Sequence, residues 1–332
     1  MAPRCIALLS GGLDSMLAVR LMQEQQIAVQ ALNVRTLFTS RGDEASQAAH
    51  LLGVPITVVD QEDEYLDIVR YPRFGYGRGA NPCVDCRIYM LQQAKRLMAQ
   101  MGAEFLVSGE VVGQRAMSQK RRDLDTISHH SGCEDLLLRP LSAKLLRPTL
   151  AERRGWVDRA RLYDFQGRSR QGLIALATRL GLPAPSAAST GCVLTEPLFA
   201  LKVFDLLRAS DENRPWDFEM LRFGRHFRLD PRTKVVVGKD AAENEQLSRM
   251  HQLPDASSTA ALFPENFLGP RALVVGPASP AAIEFASGLV LRYSKRFDPD
   301  NALLLLETRD SKRIIRAQRN ERAERAKTLS TA

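Results

Sequence analysis

Ser10-Gly11-Gly12-Leu13-Asp14-Ser15 follows the apolar run Cys5-Ile6-Ala7-Leu8-Leu9 directly and precedes Met16-Leu17-Ala18-Val19 and Leu21-Met22. The first run is continuous and the later apolar residues return with helical spacing, which predicts a strand, a glycine turn and a helix. Two glycines without Cβ atoms let backbone N–H groups turn toward an anion. Ser10 and Ser15 add hydroxyls, and the helix brings its positive end to the same place. Such a turn suits a polyphosphate. The chain contains no GxxxxGK[ST] string, so the phosphate loop of kinases and GTPases is excluded. Asp14 beside phosphates calls for a cation between them, and Mg²⁺ is the expected one. The structural alternative is a strand–turn–helix corner with serine capping.

Working outward, residues 27–34, 54–59 and 104–108 read as strands, and 43–52 and 84–102 as helices. Strands alternating with helices predict an α/β fold: a parallel twisted sheet with helices on both faces and ligands at the carboxyl ends of the strands. Asn33 and Gly109 then share an edge with the first turn. Residues 70–83 have the Gly, Arg, Tyr and Pro content of a loop, either a connector or a lid over a ligand. Residues 168–180 read as a helix stopped by Gly181-Leu182-Pro183, Pro185 to Gly191 as a small-residue loop, and 198–207 as a further helix. Asp211-Glu212-Asn213-Arg214-Pro215 is the expected boundary. It gives a first domain over 1–210, a smaller α/β domain over 211–309, and a basic tail over 310–332, read as a solvated or frayed segment.

The 332 residues, 45% hydrophobic and 25% charged, have the composition of a soluble protein with room for two domains. No apolar run reaches the length of a membrane span and the N-terminus lacks the layout of a signal peptide, so the expected location is cytoplasmic, with no membrane partner. The net charge of +8 suits a polyanionic partner, nucleic acid first. Five cysteines in an intracellular chain argue for metal or redox chemistry over a disulfide framework.

Asn81-Pro82-Cys83-Val84-Asp85-Cys86-Arg87 sets two thiols three residues apart at a helix start, where the dipole favours thiolate. A third thiol, Cys192, stands in Ser189-Thr190-Gly191-Cys192. Three thiolates can hold a [4Fe–4S] cluster and leave one iron open to a small anion such as hydrosulfide. Zinc wants a fourth ligand, and His129-His130 reaches the pair only through the fold. Buried structural thiols are the alternative. Cys5 is expected in the core, and Cys133 as a core or surface thiol.

The Ser-Gly-Gly-x-Asp-Ser string resembles the PP-loop of the ATP pyrophosphatase superfamily, whose members cleave ATP between the α and β phosphates. The resemblance implies an adenine nucleotide α-hydrolase-like sheet, with ATP held by Ser10, Gly11, Gly12, Asp14, Ser15, Asn33 and Gly109. The cysteine arrangement resembles the tRNA thiolases of the TtuA type and the iron–sulfur-dependent two-thiouridylases, and Asn-Pro-Cys is similar to the cysteine segment of the MnmA type. This implies a cluster on Cys83, Cys86 and Cys192 or, in relatives without one, Cys83 and Cys192 as persulfide carrier and resolving partner. Asp14, Cys83 and Cys192 are then the catalytic residues, with a sulfide or persulfide donor. Gly113-Gln114-Arg115 resembles a thiolase string and places Arg115 near phosphate or tRNA backbone. The Arg139-Pro140-Leu141 segment, with Lys144 behind it, resembles sulfur-inserting relatives and implies either a lysine near the phosphates or a solvent-facing one.

Phe223-Gly224-Arg225-His226-Phe227-Arg228-Leu229, Lys234-Val235-Val236-Val237-Gly238-Lys239 and Glu243-Asn244-Glu245 resemble the NFACT RNA-binding domain. That implies RNA contacts from Arg225, His226, Lys234 and Lys239, where Arg and Lys among Phe and His fit phosphate contact and base stacking. The alternative is a small α/β domain making homodimer contacts. Together the resemblances imply an ATP-dependent tRNA sulfurtransferase that adenylates a uridine and inserts sulfur. A PP-loop ligase with a non-sulfur nucleophile, or an ATP-regulated RNA-binding protein without catalysis, stays open. The tRNA position, the choice of 2-thio or 4-thio product and the donor are not specified.

Overall fold

The computed structural model describes residues 3–39, 43–183 and 191–330. They separate into two units, one running through Gly77 and resuming at Asn81–Cys192, the other made of Arg78–Ala80 and the chain from Val193. The expected linker at 211–215 lies inside the second unit. Among the described residues no helix is long and apolar enough to cross a membrane.

In the first unit the order is β1 (Arg4–Leu8), α1 (Leu13–Glu24), β2 (Ala28–Arg35), α2 (Glu44–Leu52), β3 (Ile56–Asp60), α3 (Glu64–Arg70), α4 (Cys83–Met101), β4 (Phe105–Val107), α5 (Arg121–Ser131), β5 (Leu137–Leu138), α6 (Leu150–Arg153) and α7 (Gln171–Arg179). The strands lie in the order β3-β2-β1-β4-β5, every pair parallel, with Leu8 opposite Leu32 and Ala7 opposite Val107. Cys5, Ile6 and Ala7 are at most 1% exposed, as a central strand covered on both faces requires. The chain runs outward from β1 through β3 and returns to the other side of β1 as β4. The carboxyl ends of β1 and β4 therefore flank the switch point where such sheets bind ligands.

The expected strands and helices of this unit are present, with α4 starting at Cys83. Three elements escape the sequence reading. In α5 the inward stripe is Leu124, Ile127, Ser128 and Ser131, and two serines in place of aliphatic residues hide its helical spacing. The α3 helix is short, and β5 has only two residues, below the length at which a pattern registers. Residues 184–190, which include most of the expected small-residue loop, lie outside the described residues.

The second unit contains α8 (Pro197–Ala209), α9 (Pro215–Met220), β6 (Arg225–Asp230), β7 (Thr233–Val237), α10 (Ala241–His251), β8 (Ser258–Pro264), β9 (Ala272–Val275), α11 (Pro280–Arg292), β10 (Leu303–Thr308), β11 (Lys312–Arg316) and α12 (Glu321–Arg325). Its antiparallel sheet has the order β11-β10-β8-β9-β7-β6. Alternate residues pack to opposite faces: Val235, Val237, Leu262 and Val274 join Phe285 and Leu289 of α11, whereas Val236, Ala261 and Leu273 join Trp216, Leu247 and Met250.

The solvated tail expected over 310–332 is corrected here. Lys312–Arg316 pairs with β10 as an edge strand, and Ala317 and Ala323 are buried in the α11 core. Exposed arginines give the segment a tail-like composition, while Ile315 and these alanines supply the inward contacts.

Candidate nucleotide and thiol site

The turn after β1 is shaped by Gly11, whose φ of +82° lies in the left-handed region and whose absent Cβ would meet the Glu44 backbone at 2.7 Å. The Ser15 hydroxyl donates to the Gly12 carbonyl at 2.7 Å and accepts from the Ser10 N–H at 3.3 Å. Both serines thus close the loop on itself. Ser15 and Met16 return their N–H groups to the Gly12 carbonyl, which leaves Leu13 and Asp14 at the helix start without intrahelical acceptors.

Two further strand ends fix this loop. From β2 the Asn33 amide donates to the Leu9 carbonyl at 2.8 Å. From β4 Gly109 approaches so closely that a Cβ would stand 2.3 Å from the Asp14 carbonyl oxygen and 2.6 Å from the Ser15 nitrogen. The structure thus brings Ser10–Ser15, Asn33 and Gly109 to one sheet edge. The bare Cα of Gly109 lets the end of β4 pack against the loop backbone.

Asp14 projects from this loop. Its Oδ1 is buried with no hydrogen-bond partner, and the Arg170 Nη2 lies 3.7 Å away. An orphaned carboxylate oxygen beside free helix N–H groups is the donor that a divalent cation between protein and phosphate requires. The residues fit Mg²⁺.

Beyond Gly109, Glu110 is 3% exposed and surrounded by donors: Arg139 Nε at 2.8 Å, the Ser108 hydroxyl at 3.0 Å and Arg87 Nε at 3.7 Å. Burial alone would raise its pKa, but Arg139 and Arg87 hold the carboxyl below its ordinary value. Arg139 also donates to the Ser128 hydroxyl at 3.0 Å. The arginine of the Arg-Pro-Leu segment is therefore an internal strut. Lys144 donates to the Ala160 carbonyl at 3.0 Å.

Of the paired thiols, one is held by a buried phenol and the other by an amide. Tyr65, 1% exposed, donates to the Cys86 sulfur at 3.2 Å, and the Asn81 amide donates to the Cys83 sulfur at 3.0 Å. Burial first, then the charges of Cys86 and Cys192, push the Tyr65 hydroxyl well above its ordinary pKa, so both sulfurs lie within electrostatic reach of it. Cys83, Cys86 and Cys192 are all part-buried. Asp85, between the paired thiols, accepts the Arg73 and Phe74 N–H groups at 3.1 Å each and pins the 71–77 loop to α4.

Arg115 links the two halves: partial desolvation and Arg87 lower its pKa, while Asp14, Cys83 and Glu110 favour its charge. Among the described residues no three His, Cys, Asp or Glu side chains form a group that holds a metal ion. His129 pairs with Glu134 at 2.8 Å, and the His130 ring packs 5.0 Å from that of Phe74. Cys5 and Cys133 are fully buried core thiols, as expected.

In the second unit two expected RNA contacts are corrected. His226 is 0% exposed and its Nε2 donates to the Phe223 carbonyl at 2.8 Å. Burial first, then Lys234 and Lys202, hold it neutral, well below its ordinary pKa. Lys234 is 2% exposed on a strand covered on both faces. Both side chains are closed off from solvent in this unit. Arg225 lies over the Tyr293 ring at 4.6 Å, and Lys239 pairs with Glu243 at 3.1 Å while staying 45% exposed. The exposed cations include Lys312, Arg313 and Arg316 of β11. Arg313 and Arg316 line a groove of about 270 Å³ against α11, together with Ile315 and Glu284.

Tyr65, Glu110, Arg139 and Arg170 are the residues that sequence reasoning missed as parts of the site. Arg139 stands inside the Arg-Pro-Leu string without a role, Glu110 follows Gly109 directly, and Tyr65 and Arg170 carry no local signal.

Residues 3–149 match the family model of the tRNA methyl transferase HUP domain. That match takes in the Ser10–Ser15 turn and the Cys83–Cys86 pair. Residues 224–327 match the NFACT protein RNA binding domain, a span that includes β11 and α12. The chain is 32% identical over 114 residues to the tRNA-specific 2-thiouridylase MnmA of Syntrophotalea carbinolica, covering 30% of this chain and 32% of that one. It is 36% identical over 96 residues to the MnmA of a Synechococcus species, covering 25% of each. The chain thus spans about a third or less of the length of these curated relatives. Among solved structures, a 4-thiouridine synthetase–RNA complex with bound ATP aligns with a TM-score of 0.40 and 19% identity, over 59% of this chain and 45% of that one. A predicted subunit of tRNA methyltransferase from Methanocaldococcus jannaschii aligns with a TM-score of 0.33 and 12% identity, over 55% of this chain and 90% of that one.

Proposed function

We propose that this chain is an ATP-dependent tRNA sulfurtransferase. The observation that supports the reading is a run of neighbours from the loop toward the thiols: Gly109 abuts the Asp14 backbone, Glu110 beside it pairs with Arg87 at 3.7 Å, and Arg87 follows Cys86, whose sulfur accepts from Tyr65. An ATP-cleaving loop needs no thiols for adenylation alone.

The loop N–H groups and the α1 dipole hold the β and γ phosphates, and Asp14 holds the Mg²⁺ that offsets charge on the departing pyrophosphate. A uridine carbonyl oxygen attacks the α-phosphorus, and the bond from that phosphorus to the bridging oxygen breaks. Pyrophosphate leaves with that oxygen, and the base carbon becomes electrophilic. Sulfide then bonds to the carbon, the C–O bond breaks, and AMP departs. Where the donor is a cysteine persulfide, its outer sulfur bonds to the carbon, the S–S bond breaks as the second cysteine's thiolate takes the inner sulfur, and an external thiol reduces the disulfide left behind. Arg115 offsets phosphate charge between the two half-sites.

Cys83, Cys86 and Cys192 supply the sulfur end. Three thiolates are the donor chemistry of a [4Fe–4S] cluster, which would offer one iron without a protein ligand to a small sulfur anion, although among the described residues they are not assembled into a three-ligand group. Cys83 and Cys192 as persulfide carrier and resolving partner are the second reading. Brown absorbance in an anaerobic preparation, lost on substituting any of the three, supports the first reading. A colourless active protein supports the second. RNA binding by the second unit falls on this account to Arg225, Lys239 and the exposed cations of β11.

Pyrophosphate release with bulk tRNA tests the proposal. The wild type should release it only with tRNA, and Asp14→Ala should abolish release. Full turnover by that variant, or none by the wild type, contradicts the reading.

A further inference from the structure

Arg115 stands on the thiol side of the nucleotide site, and a second side-chain cation is available for the departing pyrophosphate on the side of α7. Lys144 spends its ammonium on the Ala160 carbonyl. Arg170 precedes α7, which packs through Leu173, Leu176 and Ala177 into the same core as Leu13 and Leu17 of α1. Its guanidinium is thereby carried to the loop after β1, with Nη2 3.7 Å from Asp14 Oδ1. That distance is an ion pair without a hydrogen bond. Asp14 Oδ1 and Arg170 Nε are each buried and unpartnered, although the two side chains are 25% and 35% exposed. Unpaired buried polar atoms are costly, and a group that completes both is the economical explanation for their persistence. A cation satisfies the carboxylate and a phosphate satisfies the guanidinium fork.

We propose that Arg170 is a phosphate-binding cation of the loop after β1, turning from Asp14 to pyrophosphate oxygens as polyphosphate and divalent cation enter. The proposal rests on the ATP reading above. Without polyphosphate, Arg170 competes with the metal for Asp14; with it, both cations serve the same anion. The two effects have opposite signs.

Calorimetric titration of the full chain with inorganic pyrophosphate in Mg²⁺, and with Mg²⁺ alone, tests this. Arg170→Gln should weaken pyrophosphate binding by about tenfold or more, with Arg170→Lys intermediate, while Lys144→Gln stays within about twofold. Mg²⁺ alone should bind Arg170→Gln at least as tightly as wild type. Unchanged pyrophosphate affinity in Arg170→Gln overturns the proposal, as does parallel loss of pyrophosphate and Mg²⁺ binding, the mark of a merely structural role. A wild type that does not bind pyrophosphate overturns the ATP reading and the proposal together, and is distinguished because the unmodified chain itself fails.

Discussion

The Tyr65 hydroxyl donates to the Cys86 sulfur across 3.2 Å, from a ring set edge-on to Tyr89 at 5.2 Å between centroids. The packing belongs to the ring and the thiol contact to the oxygen, so Tyr65→Phe separates them. Burial raises the Cys86 thiol pKa, so this is a bond to a neutral thiol and contributes about 0.5–1.5 kcal/mol. The variant should fold as wild type and keep pyrophosphate release within about twofold, while thiolated tRNA forms about threefold to tenfold more slowly. Equal loss of both products would remove Tyr65 from the sulfur end.

Gly109 against the Asp14 carbonyl is the tightest approach in the nucleotide site, with 2.3 Å available for a Cβ. The obstacle is backbone and cannot rotate away. Gly109→Ala should destabilise the fold by about 1–3 kcal/mol and displace the loop. Thermal melting together with ATP titration checks this, and an unperturbed variant on both counts contradicts the packing.

Legibility followed distance along the chain. The strand, turn and helix around Ser10–Ser15 are set by neighbours in sequence, and alternation of strands and helices brought Asn33 and Gly109 to the same edge. Tyr65 and Arg170 reach the site only through the packing of α3 and α7, which no local pattern encodes. His226 and Lys234 misled for another reason: interleaved basic and aromatic residues look like an RNA surface on a half-exposed strand, whereas helices cover both faces of this sheet. The arginine-rich end looked like a tail because β11 is an edge strand, whose outer side chains face water.

Lys234 predicts the pH behaviour of the second unit. Burial first, then Arg228, lower its pKa from 10.5 to about 8. Between these values the unfolded chain binds more protons than the folded one, so stability should rise with pH across that window. Below it the lysine is charged in both states, and the cost of burying the charge is fully present. Lys234→Met should therefore stabilise the protein at pH 7, on the order of 1–3 kcal/mol, and flatten the slope. Denaturant melts from pH 7 to 10 measure both, and a destabilised variant with the slope intact contradicts the assignment.

Arg313 and Arg316 test where RNA lies. Replacing both with Glu should weaken tRNA binding by about tenfold or more and reduce the slope of log affinity against log salt by about 1.5. Lys234→Met should leave both unchanged. Filter binding across salt concentrations is the measurement, and the reverse pattern would return RNA to the sheet interior's neighbours.

The central claim is that ATP cleavage here ends in sulfur on a tRNA uridine. Mass spectrometry of nucleosides from tRNA of cells lacking this chain tests it most directly. Loss of one thiolated uridine, restored by the wild-type chain but not by Asp14→Ala or Cys83→Ala, is the predicted result. An unchanged set of thiolated nucleosides, or restoration by the Cys83→Ala chain, would contradict it.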